Sequence, residues 1–391
     1  MKRSFSFVDT RGTAVVALGT CFIAATYGLV RLAYGLFLPD IQRDLAVSAA
    51  GAGYVSAGSS LVYCLAAASG FTFAVSAPRI LIACAALTAC IGVWGMAAAD
   101  NAVMFGTCAV ISSAGAGLAS PALVSIVARN VAPSTVDSAQ SIVNAGTGPG
   151  LVAAGVLALV LLPEWRLAWV LVGIVTASLA VAVVTADRPV EVTASGGTVR
   201  ELPAGWVKRH AICLVAAVLM GAGSSAVWTY GRSFLVETGV GSERDTVTAW
   251  VALGLGAAAV ILTARPVAAL PPARAWMLSC ALMTCAITIL AAGPERVGVA
   301  LAALLIFGWG FTAATSSLIS WTTAIAPANA AAGTAMLFVA LVFGQAIGAG
   351  VLGLVVTSAG FDAALIAAAL LTAAATATAT LSRTQNHLGC K

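Results

Sequence analysis

Along this chain apolar residues run in long stretches separated by brief polar breaks, with little of the strict alternation that marks a half-buried strand. A helix that crosses a hydrocarbon core of about 30 Å needs about 20 apolar residues at about 1.5 Å rise each. The pattern predicts spans of that kind at Thr13–Leu38, Val47–Phe71, Arg79–Ala99, Ala102–Ala128, Ser138–Leu162 and Leu167–Ala186. Six more follow at Arg209–Val236, Thr246–Ala264, Ala275–Ala292, Val297–Trp321, Ala330–Ser358 and Phe361–Leu381. The expected fold is an all-α membrane protein of twelve transmembrane helices.

One break stands apart. Residues 187–208 hold Asp187, Arg188, Glu191, Arg200, Glu201 and Lys208, and no other interruption is so long or so polar. The expected organisation is therefore an N-terminal six-helix bundle over 1–186, a cytoplasmic linker over 187–208 and a C-terminal six-helix bundle over 209–391. Composition removes the soluble alternative. Charged residues are 8% of 391 and hydrophobic ones 61%, against about 25% and 45–50% in an ordinary soluble domain. Most of the outer surface must face lipid.

Charge and cysteine change the picture little. The net charge of +5 is scattered through short loops, so it is no nucleic-acid footprint, and no nucleic-acid partner is expected. Of nine cysteines, all but Cys390 fall in apolar runs and none has the C-x-x-C spacing of a zinc or redox site. No metal or cofactor is expected. The apolar run after Met1-Lys2-Arg3 is too long for a signal-peptide core of about 7–15 residues, so the first helix is expected to remain in the protein.

Lysine and arginine placement orients the bundle, because positive loops stay in the cytoplasm. With the N-terminus inside, thirteen basic residues lie on the cytoplasmic side and only Arg43, Arg166, Arg244 and Arg296 outside. Both termini are then cytoplasmic. Arg31 and Arg232 remain, within the first and seventh spans.

The two halves resemble each other. A shift of 201 sets Arg31 on Arg232, Arg43-Asp44 on Arg244-Asp245 and Gly53 on Gly254. Gly115-Ala-Gly117 and Gly308-Trp-Gly310 match at 193, and Ala132-Pro133 and Ala326-Pro327 at 194. Parallel six-helix repeats predict two pseudo-symmetric bundles with a substrate site between them at mid-membrane. On these residues the chain resembles a bacterial member of the major facilitator superfamily. Leu38-Pro39-Asp40-Ile41-Gln42-Arg43-Asp44-Leu45 resembles the exit of the family's first helix, and Trp165-Arg166 the step into its sixth. Gly146-Thr-Gly148-Pro149-Gly150 is similar to a loose glycine-proline motif of its exporters and antiporters. Two family features are degraded. Gly70 and Arg79 fit the ends of the pattern after helix two, but Ala74, Val75 and Ala77 stand inside it, and Ile111 replaces a helix-four arginine. The first loss bears on the family's conformational latch and the second on a group tied to proton coupling.

Candidate chemistry centres on the two intramembrane arginines. A charge at bilayer depth costs about 2.5–3.5 kcal/mol on insertion scales, so it marks function by default. Arg31 has Tyr27 at i−4 and Tyr34 at i+3 on one helical face; Arg232 has Trp228 at i−4 and Tyr230 close by. A guanidinium matches a carboxylate or phosphate bidentately, so two arginines at equivalent positions predict an anion clamp across the central cavity. The family's organophosphate carriers are similar, with an arginine on the first and seventh helices. The competing reading has both side chains snorkelling to the outer headgroups and the tyrosines forming an interface belt. Asn144 and Gln140 on helix five, Gln345 on helix eleven, and Trp309 and Trp321 on helix ten are further candidates for the cavity wall, or for packing between helices.

The acids contribute by their placement. All fourteen lie at or beyond the predicted helix ends, including Asp40 just after Pro39, so no buried proton relay is expected. Coupling by anion exchange, or by protons carried on the substrate, follows. No H-E-x-x-H, G-x-S-x-G or phosphate loop occurs, so an enzyme is not expected. The reading is a secondary transporter, an antiporter of a small organic anion of carboxylate or phosphate type. It is expected as a monomer in the lipid of a bacterial inner membrane. An exporter of neutral or hydrophobic compounds, or a non-transporting membrane sensor, are the alternatives.

Overall fold

The computed structural model describes residues 10–188, 205–293 and 296–388. Most of the expected linker, at 189–204, lies outside them. The described chain is helical throughout. The spans are α1 (Arg11–Leu45), α2 (Ala49–Phe73), α3 (Pro78–Ala98), α4 (Ala102–Asn130), α5 (Ser138–Leu161) and α6 (Trp165–Ala186). After them come α7 (Trp206–Glu237), α8 (Glu243–Ala268), α9 (Pro272–Ala291) and α10 (Val297–Ile325). A final continuous helix, Ala330–Leu388, is interrupted at Gly360 by φ 84° and ψ 175°. That conformation is cheap only for glycine. It reverses the chain: Leu341 of the first part and Ala368 of the second both pack on α7, at Gly221 and Gly223. The segment is therefore two antiparallel helices, α11 (330–359) and α12 (361–388), making twelve among the described residues.

Local chemistry sets the helix starts. Ser48 accepts from the Gly51 amide and Asn101 from Met104, each satisfying an orphan N–H. Ser242 and Asp245 form a reciprocal capping box at α8. Pro78 and Pro272 each sit at the first position of a helix, where a missing N–H costs nothing. These two prolines are 194 residues apart (272 against 78), as are the short 3₁₀ turns Pro133–Thr135 and Pro327–Asn329. The α2 and α8 starts, Ala49 and Glu243, keep the same spacing. A register of 194 thus relates the two halves from α2 and α8 onward, and the distal ends of α1 and α7, Leu45 and Glu237, lie 192 apart (237 against 45), so the expected shift of 201 is corrected. Carried back at 194, Arg31 matches Ser225, Tyr34 matches Trp228 and Arg232 matches Leu38. The two arginines are not equivalent.

Helix α1 departs from expectation in two ways. It runs through Pro39 to Leu45 instead of ending at Leu38. Its middle, Ala24–Leu32, is a π-helix, a wider turn that is uncommon and often found at functional sites. The end of the bundle where α1 begins at Thr10 is proximal and the end where it reaches Leu45 is distal. The halves meet through α1 against α7, α2 against α11, and α5 against α8.

Candidate functional site

At mid-depth a small cavity of about 40 Å³ is lined by residues from both halves: Arg31, Leu32 and Tyr34 of α1; Ser56, Ser59 and Ser60 of α2; Ser225, Trp228 and Thr229 of α7; and Gln345 of α11. The π turn brings Arg31 to it. Arg31 Nη2 donates to Ser60 Oγ at 3.3 Å and to Gln345 Oε1 at 3.1 Å, and its guanidinium carbon lies 4.8 Å from the Tyr63 ring centre. Tyr63 shares a hydrogen bond of 2.8 Å with the Tyr27 hydroxyl. Among the described residues no carboxylate lies within ion-pair distance of Arg31, and its Nε is buried with no hydrogen-bond partner. Opposite it, Trp228 makes edge-to-face contacts with Trp250, Phe307 and Phe311. The lining combines one cation, the aromatic side chains Tyr34 and Trp228, and hydroxyls from α2 and α7.

Gln345 reaches this point because α11 lies unusually close to α7. A Cβ at Gly344 would collide with the Val218 carbonyl, and one at Gly348 with the Ala222 carbonyl. Small residues of this kind let helix backbones approach in lipid.

Arg232 does not join the cavity, and the expected two-arginine clamp is corrected here. Its side chain is fully buried in the distal seam, donating to Asp40 Oδ2 at 2.5 Å, the Leu36 carbonyl at 2.6 Å and Thr246 Oγ1 at 3.2 Å. Glu243 stands 3.5 Å away. Arg43 also pairs with Asp40 and lies 3.6 Å from Glu243, so two cations meet two carboxylates. Asp40, expected beyond a helix end, is buried inside α1. The same seam holds Ser233 Oγ donating to Gln42, Ser56 against Thr229, and the Tyr230 hydroxyl donating to the Ala49 and Ala349 carbonyls. Gly35 presses on the Trp228 carbonyl, where a side chain would collide. These contacts join α1 and α2 to α7, α8 and α11 at the distal end.

Of the nine expected residues, Arg31, Tyr34, Trp228 and Gln345 line the cavity and Tyr27 supports it through Tyr63. Tyr230 and Arg232 belong to the seam. Trp309 Nε1 instead donates to Thr263, joining α10 to α8, and Asn144 is exposed away from the cavity. Sequence reasoning misses the hydroxyl lining. Its signal is present: Ser56, Ser59, Ser60 and Tyr63 fall at i, i+3, i+4 and i+7, and so do Ser225, Trp228, Thr229 and Arg232.

A second polar cluster lies at the proximal end. Asp187, capping α6, accepts from Arg79 at 2.7 Å, from Arg129 and from Asn130 at 2.7 Å. Burial alone would raise its carboxyl pKa. The hydrogen bonds from Arg129, Arg79 and Asn130 outweigh that and hold it below the ordinary value. Arg79, the surviving end of the degraded loop pattern, thus has an acid partner within its own half.

The family model of the Major Facilitator Superfamily matches residues 20–269. Among curated proteins none matches the chain by sequence. Solved structures do match in fold. A mutant form of the nucleoside transporter NupG superposes with a TM-score of 0.79 at 14% identity, covering 94% of this chain and 99% of that one. A bacterial homolog of the human lysosomal transporter Spinster, inward-facing and unoccupied, gives 0.76 at 15% over 95% and 97%. The D-xylose-proton symporter gives 0.76 at 13% over 94% and 97%. At such identities the likeness establishes the fold alone.

Proposed function

The chain belongs to the Major Facilitator Superfamily of membrane transporters, and we propose that it carries a small organic anion held by Arg31. One observation supports this above the rest. Arg31 faces a cavity shared by both halves and, among the described residues, has no acid to neutralise it, whereas Arg232 in the seam has two. A cation kept at bilayer depth without a counterion is costly unless a ligand or water supplies compensation. The serine hydroxyls around it can donate to the remaining oxygens of a carboxylate or phosphate. Arg232 and Asp40 act instead as the distal gate, and coupling runs by exchange of anions. The positive-inside pattern supports a bacterial inner membrane with both termini, and so the proximal end, cytoplasmic.

Trp228 on the cavity lining, backed by Phe307 and Phe311, favours a second reading, export of apolar compounds. Thermal shift of the purified protein separates the two. A ligand at 100 times its Kd stabilises by about 2.7 kcal/mol. Carboxylates or phosphates should stabilise the wild type and fail to stabilise Arg31→Gln. Stabilisation by apolar compounds alone, equal in both proteins, would sink the anion reading.

A further inference from the structure

Gln345 is an acceptor that the protein itself supplies to the Arg31 cation. Its Oε1 takes an Arg31 Nη2 hydrogen at 3.1 Å, across the boundary between the halves, and its side chain is only 5% exposed. The residue is held there by backbone: Gly344 and Gly348 on either side of it lie against α7 carbonyls, which fixes where the amide is delivered. Among the described residues the other side-chain hydrogen-bond acceptor of Arg31 is a single hydroxyl, Ser60, and Nε stays unpartnered.

An amide oxygen and a carboxylate oxygen are both sp² acceptors with the same geometric demands. They differ in charge: the guanidinium makes a charge-assisted bond to either, and a carboxylate adds ion-pair attraction that an amide lacks. The cavity of about 40 Å³ has room for a few waters and not for an organic acid, so an entering anion must move a side chain. The side chain already occupying the guanidinium is Gln345.

We infer that Gln345 is a specificity-determining residue that stands in for the substrate: its amide oxygen occupies Arg31 when the site is empty, and an incoming carboxylate or phosphate displaces it. This rests on the reading of Arg31 as the anion anchor. A neutral ligand gains nothing by the exchange, since it would replace one amide-strength bond with another. An anion gains the difference. Displacement also breaks a hydrogen bond that ties α1 to α11, so occupancy loosens one link between the halves.

The test compares wild type, Gln345→Ala and Gln345→Glu in detergent, titrated calorimetrically with acetate, lactate, succinate, benzoate and inorganic phosphate. Whichever of these binds the wild type should bind Gln345→Ala about tenfold more tightly, the equivalent of removing one competing bond to a charged group. Gln345→Glu should lose binding altogether, because a tethered carboxylate fills the site. Should Gln345→Glu fail to fold, Gln345→Ala alone decides. An unchanged or weaker affinity in Gln345→Ala overturns the inference, the second result making Gln345 a substrate ligand instead of a displaced one. If none of the five anions binds the wild type, the anion reading falls first and carries this inference with it.

Discussion

Opening the distal entrance means separating Arg232 of α7 from Asp40 of α1, and the structure allows the cost to be apportioned. Breaking a buried ion pair by removing one partner costs about 3–5 kcal/mol when the other is left uncompensated. That figure is too high here. Asp40 keeps Arg43 on its own helix, and Arg232 keeps Glu243, which is 46% exposed and so partly screened. Asp40→Asn retains a neutral acceptor for Arg232. It should keep the hydrogen bond and lose the ion-pair attraction, about 1–1.5 kcal/mol with Arg43 and Glu243 close by. Arg232→Gln removes the bonds to Asp40 and the Leu36 carbonyl together and should cost about 2–3 kcal/mol. Each 1.4 kcal/mol is about tenfold in the open population. Thr229, buried against Ser56 in the seam, reports that population when replaced by cysteine in a chain cleared of its nine native cysteines. An impermeant maleimide added from the distal side should label Asp40→Asn roughly tenfold faster than the parent, and Arg232→Gln about 30- to 150-fold faster. Labelling within twofold of the parent in both variants would refute the gate.

The proximal cluster makes a pH prediction. The Asp187 pKa is lowered on folding, so its contribution to stability is present above the unfolded value of about 3.9 and is lost as pH falls through the still lower folded value. Melting temperature should therefore be insensitive to this group from pH 8 to 5 and drop below about pH 4. In Asp187→Asn that acid drop should shrink; an identical acid profile in the two proteins would show that the cluster is not the cause. Two glycine substitutions should separate gating from folding. Gly344→Ala forces α11 off α7 within one half, an overpacking cost of about 1–3 kcal/mol that appears as a lower melting temperature. Gly35→Ala collides across the seam instead, so it should leave melting nearly unchanged and speed distal labelling at position 229. The opposite allocation of the two effects would contradict the assignment of the seam.

Much of this architecture is legible in the order of apolar runs, because a spanning helix leaves its length in the sequence whatever it packs against. The twelve spans appear there, and so do Arg31, Tyr34, Trp228 and Gln345 of the cavity. The false equivalence of Arg31 and Arg232 has a geometric origin. A shift of 201 differs from the observed 194 by seven residues, and seven residues are nearly two α-helical turns at 3.6 each. Such a slip returns the same helical face, so aromatic neighbours fit in either register and only depth is wrong. Asp40 escapes a sequence reading for a different reason. Proline removes one helical hydrogen bond and usually ends a helix, yet here the helix is held by packing on both sides. Pro39 leaves the Gly35 carbonyl without its helical donor, Arg232 Nη1 grips the next carbonyl, that of Leu36, and the helix continues. No pattern within α1 could disclose that partner, which lies on α7.

The π turn of α1 makes the spacing between two groups matter as much as the groups themselves. Arg31 lies within Ala24–Leu32 and Asp40 eight residues beyond it, so the wide turn acts like one extra thread on a screw. Removing a single residue from the plain α-helical turns that follow it, Phe37 for instance, would turn the distal end of the helix by about 100° and draw it back about 1.5 Å. Every side chain at the cavity and the seam would survive such a deletion. Asp40 would nonetheless swing away from Arg232, leaving a protein with its complete chemistry and no working seal.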